Sequence, residues 1–229
     1  MSQKFHPDNS LSPKELAKQL TKPEGETGKA IGLHMNEGNK HITLNSYRIL
    51  KPQAGDSILE IGMGNGYYIK DLLAAASGLK YTGVDYSEIM VEETGNFNKE
   101  ALARNQVQII HASIEKLPFN KNTFDSIVTT NTIYFWPNEI ENAKELLRVL
   151  KPGGKLCIAY RSKEFLEMLP MTKFGFKKFI AKDVEQILKQ AGFLKIYTEV
   201  MKEPEVDYNG TTIQMIGHFT YGIKANMKH

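Results

Sequence analysis

One carboxylate and three glycines stand in close order, Glu60, Gly62, Gly64 and Gly66, within the run ILEIGMGNGYY (Ile58–Tyr68). The run opens as a short apolar strand, and glycines at alternating positions let main chain approach a ligand where any Cβ would collide. A second carboxylate, Asp85, ends the apolar segment YTGVD about one strand–helix–strand unit later. That spacing lets an acid reach ribose hydroxyls beside a glycine turn. The pattern reads as a site for an adenosine-containing cofactor, and two kinds fit. A nicotinamide dinucleotide sets its pyrophosphate on a helix N-terminus, usually through G-x-G-x-x-G. Here the glycines run G-x-G-x-G, and Tyr67 takes the sixth position, where close helix–strand packing calls for a small residue. Glu60 stands where dinucleotide folds normally keep an apolar side chain. A carboxylate there suits a cation, such as the amino group of S-adenosyl-L-methionine, a donor that carries no phosphate. The residues favour the methyl donor.

The elements that must position these groups alternate. Strands are expected at Ser57–Ile61, Lys80–Asp85, Val107–His111, Phe124–Thr129 and Lys155–Ala159. Helices are expected near Tyr67–Ala76, Ser87–Asn105 and Glu139–Leu150, the last stopped by the KPGG turn at Lys151–Gly154. Such alternation means a mostly parallel sheet covered on both faces. The ending differs: a helix over Ala181–Ala191 stops at Gly192, then strands Phe193–Val200 and Thr211–Ile223 flank Asn209-Gly210, a tight-turn signal. The expected fold is α/β, a Rossmann-like, seven-stranded, mostly parallel sheet with an antiparallel C-terminal hairpin strand and helices on both faces. Upstream, residues 1–12 are polar and expected to fray, and Ser12, Pro13 and Glu15 mark a helix start. Thr21–Lys40 is interrupted by glycine and reads as short helices and turns, with helix resuming over His41–Leu50. Residues 1–50 are expected to form a helical cap or lid, and residues 51–229 the cofactor-binding domain.

Composition is that of an ordinary globular chain: 229 residues, 41% apolar, 24% charged, formal charge +3. So weak a charge neither demands nucleic acid nor excludes an anionic substrate. A single cysteine, Cys157, excludes an internal disulfide framework and a cysteine-based zinc site. The N-terminus lacks the pattern of a secretory signal, and no window approaches the roughly 18 apolar residues of a spanning helix. The expectation is a cytoplasmic protein with a small-molecule substrate, no nucleic-acid partner and no stable membrane insertion.

Several ordered stretches carry a resemblance: LEIGMGNG (59–66), GVDYSEIMVEE (83–93), IEKLPFNKNTFDSIVTTNTIYFW (114–136), RVLKPGGKL (148–156) and AGF (191–193). Over roughly residues 50–200 the chain resembles class I S-adenosylmethionine-dependent methyltransferases of the type-11 group, which includes ubiquinone- and menaquinone-biosynthesis and phospholipid N-methyltransferases. The resemblance implies that Glu60, Gly62, Gly64 and Gly66 surround the methionine part of the cofactor. It implies that Asp85 takes the two ribose hydroxyls and that Tyr86 lies against adenine. Similar proteins bond the adenine amino group with an Asp before the LPF loop; this chain has Ser113 there, with Ile114 supplying a main-chain N–H. Asn131 is implied to line the methyl-transfer site through its main chain.

Methyl transfer from a sulfonium is an in-line displacement, so the protein mainly aligns nucleophile, methyl and sulfur and excludes water. A phenol or alcohol acceptor usually needs a proton acceptor, whereas a thiolate or neutral amine needs little help. His34, His41, His111 and His218 form no His–Asp pair at a telling spacing, and no base is assigned. The aromatic run Tyr134-Phe135-Trp136 could pack substrate or core, and Lys173, Lys177, Lys178 and Lys182 read as solvated lysines on a connection, ahead of a substrate lid for an anionic or lipid-like acceptor. A small-molecule methyltransferase, an idle cofactor-binding partner subunit and a nicotinamide oxidoreductase are the three functions to be separated.

Overall fold

The computed structural model describes residues 3–4, 11–208 and 210–226. In chain order the elements are β1 (Gln3–Lys4), α1 (Pro13–Thr21), α2 (Gly25–Leu50), β2 (Ser57–Ile61), α3 (Ile69–Leu73) and β3 (Lys80–Asp85). Next come α4 (Glu88–Phe97), α5 (Lys99–Ala103), β4 (Val107–His111), β5 (Phe124–Thr130), α6 (Glu139–Val149) and β6 (Leu150–Tyr160). The chain ends with α7 (Lys163–Glu167), α8 (Ala181–Ala191), β7 (Leu194–Tyr208) and β8 (Thr211–Ile223). Short 3-10 turns lie at Ile133–Phe135 and Pro170–Lys173.

The sheet order is β1-β7-β8-β6-β5-β2-β3-β4. Strands β2 to β6 are mutually parallel, and β8 runs antiparallel to both β6 and β7. The seven expected strands and the C-terminal hairpin are present, with Asn209 of its turn outside the described residues. The two-residue β1 adds an eighth, parallel to the end of β7; the rest of the stretch expected to fray, up to residue 10, also lies outside them. Successive strand residues feed opposite faces. Leu59, Ile127, Leu156 and Ile158 pack with α6 and α8 in one core; Ile58, Val128, Cys157 and Ala159 pack with α2 and α3 in the other. Burial on both faces explains why these strands read as continuous apolar runs.

Strand order reverses at β2, whose neighbours β3 and β5 diverge in sequence, and a crevice opens there at the carboxyl ends of the strands. Three expectations for local structure are corrected. Residues 25–50 form one continuous helix, α2, rather than short helices and turns. Two of its glycines sit in close packing: a Cβ on Gly28 would lie 2.8 Å from the Pro23 carbonyl carbon, and one on Gly32 3.0 Å from Met90 Cε. The expected helix from Ser87 to Asn105 breaks at Asn98 into α4 and α5, because the Asn98 side chain turns back to the glycine loop. The KPGG turn lies inside β6, where pairing with β5 shifts register between Phe124 and Ser126.

α1 begins as expected, with Ser12 and Glu15 exchanging the bonds of a capping box. It packs on α2 and on the Pro170–Lys173 turn through Leu16, Ala17, Ile31, Leu169 and Met171. This third, smaller cluster roofs the crevice. Gly28→Ala tests the corner between α1 and α2: alanine adds about 1 kcal/mol in an open helix, but here its Cβ meets main chain. The urea midpoint is expected to fall; a rise would show that the corner is not tightly packed.

Candidate functional site

The crevice holds a cavity of ≈ 540 Å³. All nine residues singled out from sequence line it: Glu60, Gly62, Gly64, Gly66, Asp85, Tyr86, Ser113, Ile114 and Asn131. They come from the ends of β2, β3, β4 and β5, so the parallel sheet gathers them at one edge.

The glycine turn leaves β2 with Gly62, Gly64 and Gly66 all left-handed, at φ of 68°, 57° and 68°. A Cβ on Gly62 would lie 2.3 Å from Thr132 Cγ2, and one on Gly66 2.5 Å from Thr94 Cγ2, so both are closely packed from behind. A Cβ on Gly64 would meet nothing within 4 Å; the space it would fill belongs to the cavity. The turn is clamped from several sides. Gly62 N–H donates to the Val84 carbonyl at 2.7 Å, and Gly64 N–H to Asp85 Oδ2 at 3.1 Å. The carbonyls of Gly64 and Gly66 accept from Thr94 Oγ1 (2.8 Å) and Asn98 Nδ2 (3.1 Å) on α4.

Glu60 lies under this turn, 4% exposed. Its Oε2 accepts from the hydroxyls of Tyr47 (2.9 Å) and Tyr81 (2.7 Å). Burial pushes its carboxyl up to about 7 against those two hydrogen bonds, and the Asp85 charge adds to the rise. Asp85, 7% exposed, is pushed up by burial to about 6, although the Ser87 and Gly64 N–H groups favour its ionised form. Its Oδ1 accepts from Ser87 N–H at 2.9 Å, and Ser87 itself caps α4. Tyr86 follows, its hydroxyl donating to the Thr21 carbonyl at the end of α1. Ser113 Oγ donates to Glu115 Oε2 at 3.1 Å, and both residues reach the cavity wall beside Ile114.

Asn131, left-handed at φ 56°, begins the other half of the cavity. A non-glycine residue in that region persists only where its surroundings determine it. Its N–H donates to the Ala159 carbonyl at 2.8 Å, its Nδ2 to Asn39 Oδ1 at 2.9 Å, and its Oδ1 accepts from the Tyr134 hydroxyl at 2.9 Å. Around this polar knot the wall is largely apolar, with Met35 from α2, Phe135, Phe165, Leu169, Met171 and Phe176. Arg161, following β6, is buried and donates to Glu203 Oε2 at 2.8 Å, joining the β7–β8 hairpin to the cavity. Of the aromatic run, Trp136 is buried with its Nε1 donating to Thr132 Oγ1 at 3.1 Å, while Tyr134 and Phe135 pack on Phe176. Lys177 is tied to the Trp136 carbonyl (2.6 Å) and to Glu139. No histidine is among the described residues that line the cavity. Among those residues, too, no cluster of side chains could hold a metal ion, and no helix is long and apolar enough to cross a membrane.

Residues 59–158 match a family model described as a methyltransferase domain, the type-11 group. An uncharacterized methyltransferase, YdaC, of Bacillus subtilis is 32% identical over 153 residues, which cover 66% of this chain and 80% of that protein. The chain belongs to this methyltransferase family. A demethylmenaquinone methyltransferase of Bacillus cereus is 32% identical over 155 residues, and the chain spans 62% of that protein's length. Among solved structures, the complex of the Haloferax volcanii Trm112 methyltransferase activator with a putative methyltransferase superposes with a TM-score of 0.71 at 16% identity, covering 87% of this chain and 96% of the other. The cofactor of this methyltransferase is S-adenosylmethionine. The site's residues suit it: a cradle that leaves room at Gly64, a carboxylate for hydroxyls at Asp85, a carboxylate for a cation at Glu60.

Sequence reasoning did not find Tyr47, Thr94, Asn98, Arg161 or Asn39. Each reaches its partner across 30 or more residues or from another element, so spacing carries no signal for it.

A stability prediction follows from Glu60. Unfolded, its carboxyl loses its proton near 4.5, the ordinary value for a glutamate; folded, it keeps it to about 7. Between those values the folded state binds more protons, so stability falls as pH rises from about 4.5 to about 7. Asp85 acts with the same sign between 3.8 and about 6. In the ligand-free protein, Glu60→Gln is expected to be more stable than the parent at pH 8 by about 1–3 kcal/mol. The gap should close near pH 4.5 in denaturation curves; a gap that does not change with pH would contradict the buried carboxylate.

Proposed function

We propose that this protein is an enzyme that moves a methyl group from S-adenosylmethionine to a small, largely apolar acceptor held in the second half of the cavity. What supports this most is the continuity of one cavity from the Glu60–Gly66 turn and Asp85 to an apolar compartment floored by Asn131. S-adenosylmethionine supplies the methyl on a positively charged sulfur, which an acceptor displaces in line. The protein's own groups bind and orient. Asp85 takes the ribose hydroxyls, Tyr86 lies on one face of the adenine, and Ser113 and Ile114 meet its edge. Glu60 and the main chain at Gly62, Gly64 and Gly66 hold the methionine end, with Glu60 facing its ammonium group. Asn131 sets the wall where methyl leaves sulfur.

Of residues 1–50, α1 and the first half of α2 act as a cap, whereas Gln3–Lys4 pair with β7 at the sheet edge. Leu20, Ile31 and Met35 of α1 and α2 meet Leu169 and Met171 over the cavity, so acceptor and donor are shut from water together. Exclusion of water strengthens the electrostatic attraction between Glu60 and a cation. The lining offers no histidine for a proton, which suits an acceptor whose nucleophile is already free at neutral pH.

Two measurements test the donor half. Calorimetry should show S-adenosylmethionine binding and no comparable binding of NAD, and Asp85→Ala should weaken the former by about 1–3 kcal/mol, the scale of lost hydrogen bonds to a charged group. Unchanged affinity in a folded Asp85→Ala variant would remove Asp85 from the site. Because a bound ammonium favours ionised Glu60, affinity should rise about tenfold from about pH 6 to pH 8; a flat profile would remove Glu60 from that role. Radiolabelled methyl transfer into a pool of metabolites tests the acceptor half, and the absence of any labelled product would favour an idle cofactor-binding subunit.

A further inference from the structure

The hydrogen bonds around Asn131 run in one direction, and the direction is set by main chain. The N–H of Arg161 can only donate, and it donates to the Tyr134 hydroxyl. That hydroxyl oxygen is thereby an acceptor, and its own proton is directed to Asn131 Oδ1 at 2.9 Å, in preference to the Arg161 carbonyl at 3.5 Å. Burial pushes the Tyr134 phenol well above its usual range, so it keeps that proton at neutral pH. With Oδ1 accepting, the other arm of Asn131 is its amide nitrogen, which donates to Asn39 Oδ1 at 2.9 Å. Asn39 on α2 therefore accepts through its oxygen from Asn131, which leaves its Nδ2 outside this chain of bonds. Amide orientation is ordinarily ambiguous, but here a chain of three hydrogen bonds from a main-chain donor leaves a single assignment. Asn39 lines the cavity, is half-buried, and its Nδ2 has no hydrogen-bond partner among the described residues.

We infer that Asn39 is a specificity-determining residue whose Nδ2 donates to an oxygen of the methyl acceptor, so that the acceptor is a largely apolar molecule carrying a hydrogen-bond-accepting oxygen, such as a carbonyl. The inference rests on the methyl-transfer reading above and gives that site its substrate chemistry. A donor fixed in a largely apolar wall discriminates by hydrogen bonding: a ligand oxygen completes the chain, whereas an isostere without it strips water from the amide and returns nothing. The position also orients. Asn39 is bonded to Asn131, so a ligand oxygen on Asn39 places the rest of the acceptor beside the left-handed residue that begins this half of the cavity.

A matched pair of probes tests this without knowledge of the natural acceptor. Acetophenone and α-methylstyrene share a shape and differ in a carbonyl against a methylene group. With S-adenosylhomocysteine bound, ligand-observed NMR titration should show acetophenone binding about tenfold tighter. Asn39→Leu should abolish the preference. Asn39→Asp keeps an oxygen for Asn131 but presents an acceptor to the ligand, and should abolish or reverse it. Both variants should bind S-adenosylhomocysteine as the parent does in calorimetry. Equal binding of the two probes to the parent would overturn the assignment. So would a preference that survives Asn39→Leu, or failure of both probes to bind at millimolar concentration while S-adenosylhomocysteine binds. Failure of S-adenosylhomocysteine itself to bind would instead overturn the methyl-transfer reading beneath it, and this inference with it.

Discussion

A buried carboxylate has to be hydrogen-bonded, and the architecture around the glycine turn depends on how Glu60 meets that demand. It sits on a central strand with apolar neighbours on both sides, where an unpartnered charge would cost several kcal/mol. Tyr47 from α2 and Tyr81 from β3 both donate to its Oε2. Burial and the neighbouring carboxylate push both phenols well above their usual range, so they remain donors. This pair of bonds ties α2 to the two central strands beneath the turn. Because α2 is one continuous helix of 26 residues, about 39 Å at 1.5 Å per residue, a constraint near its C-terminal end also sets where its first turns lie. The roof of the cavity inherits its position from a carboxylate in its floor.

The turn above Glu60 is held by the protein's own groups. Asp85 accepts from Gly64, while Thr94 and Asn98 of α4 hold the carbonyls of Gly64 and Gly66. Left-handed glycines supply a shape that other residues adopt with strain, and α4 fixes that shape. Such preorganisation lowers the ordering cost of binding. It also explains the break at Asn98, which exchanges helical continuity for a grip on the loop.

The floor and the roof of the cavity come largely from different parts of the chain. The family match spans residues 59–158, which supply the glycine turn, Asp85, the Ser113–Ile114 wall and Asn131. The roof comes from α1, α2 and the segment around Pro170–Lys173, all outside that span. Arg161 and Glu203, whose buried pair links β6 to the hairpin, are outside it too. A match confined to residues 59–158 therefore says little about what the roof of the cavity meets.

The sequence by itself determined the strand–helix alternation, the glycine turn with Glu60 and the carboxylate at Asp85; Tyr86, Ser113, Ile114 and Asn131 came from the family resemblance. The former are local demands: apolar runs that bury both faces, positions that tolerate positive φ, and acids at strand ends. Only the tertiary structure decided that Thr21–Lys40 would carry most of one helix rather than several. Glycine's weak helix propensity argued against it, and close approach to the Pro23 main chain calls for glycine at position 28 for a different reason. Only the fold, too, could bring Asn39 to Asn131, Tyr134 to Arg161, or Tyr47 to Glu60. A hydrogen-bond partner on another element leaves no period in the sequence, because nothing in either segment's own backbone requires the other. The glycine turn and its carboxylates were legible because they are written in local conformation; the bonds around Asn131 exist only once the chain has folded.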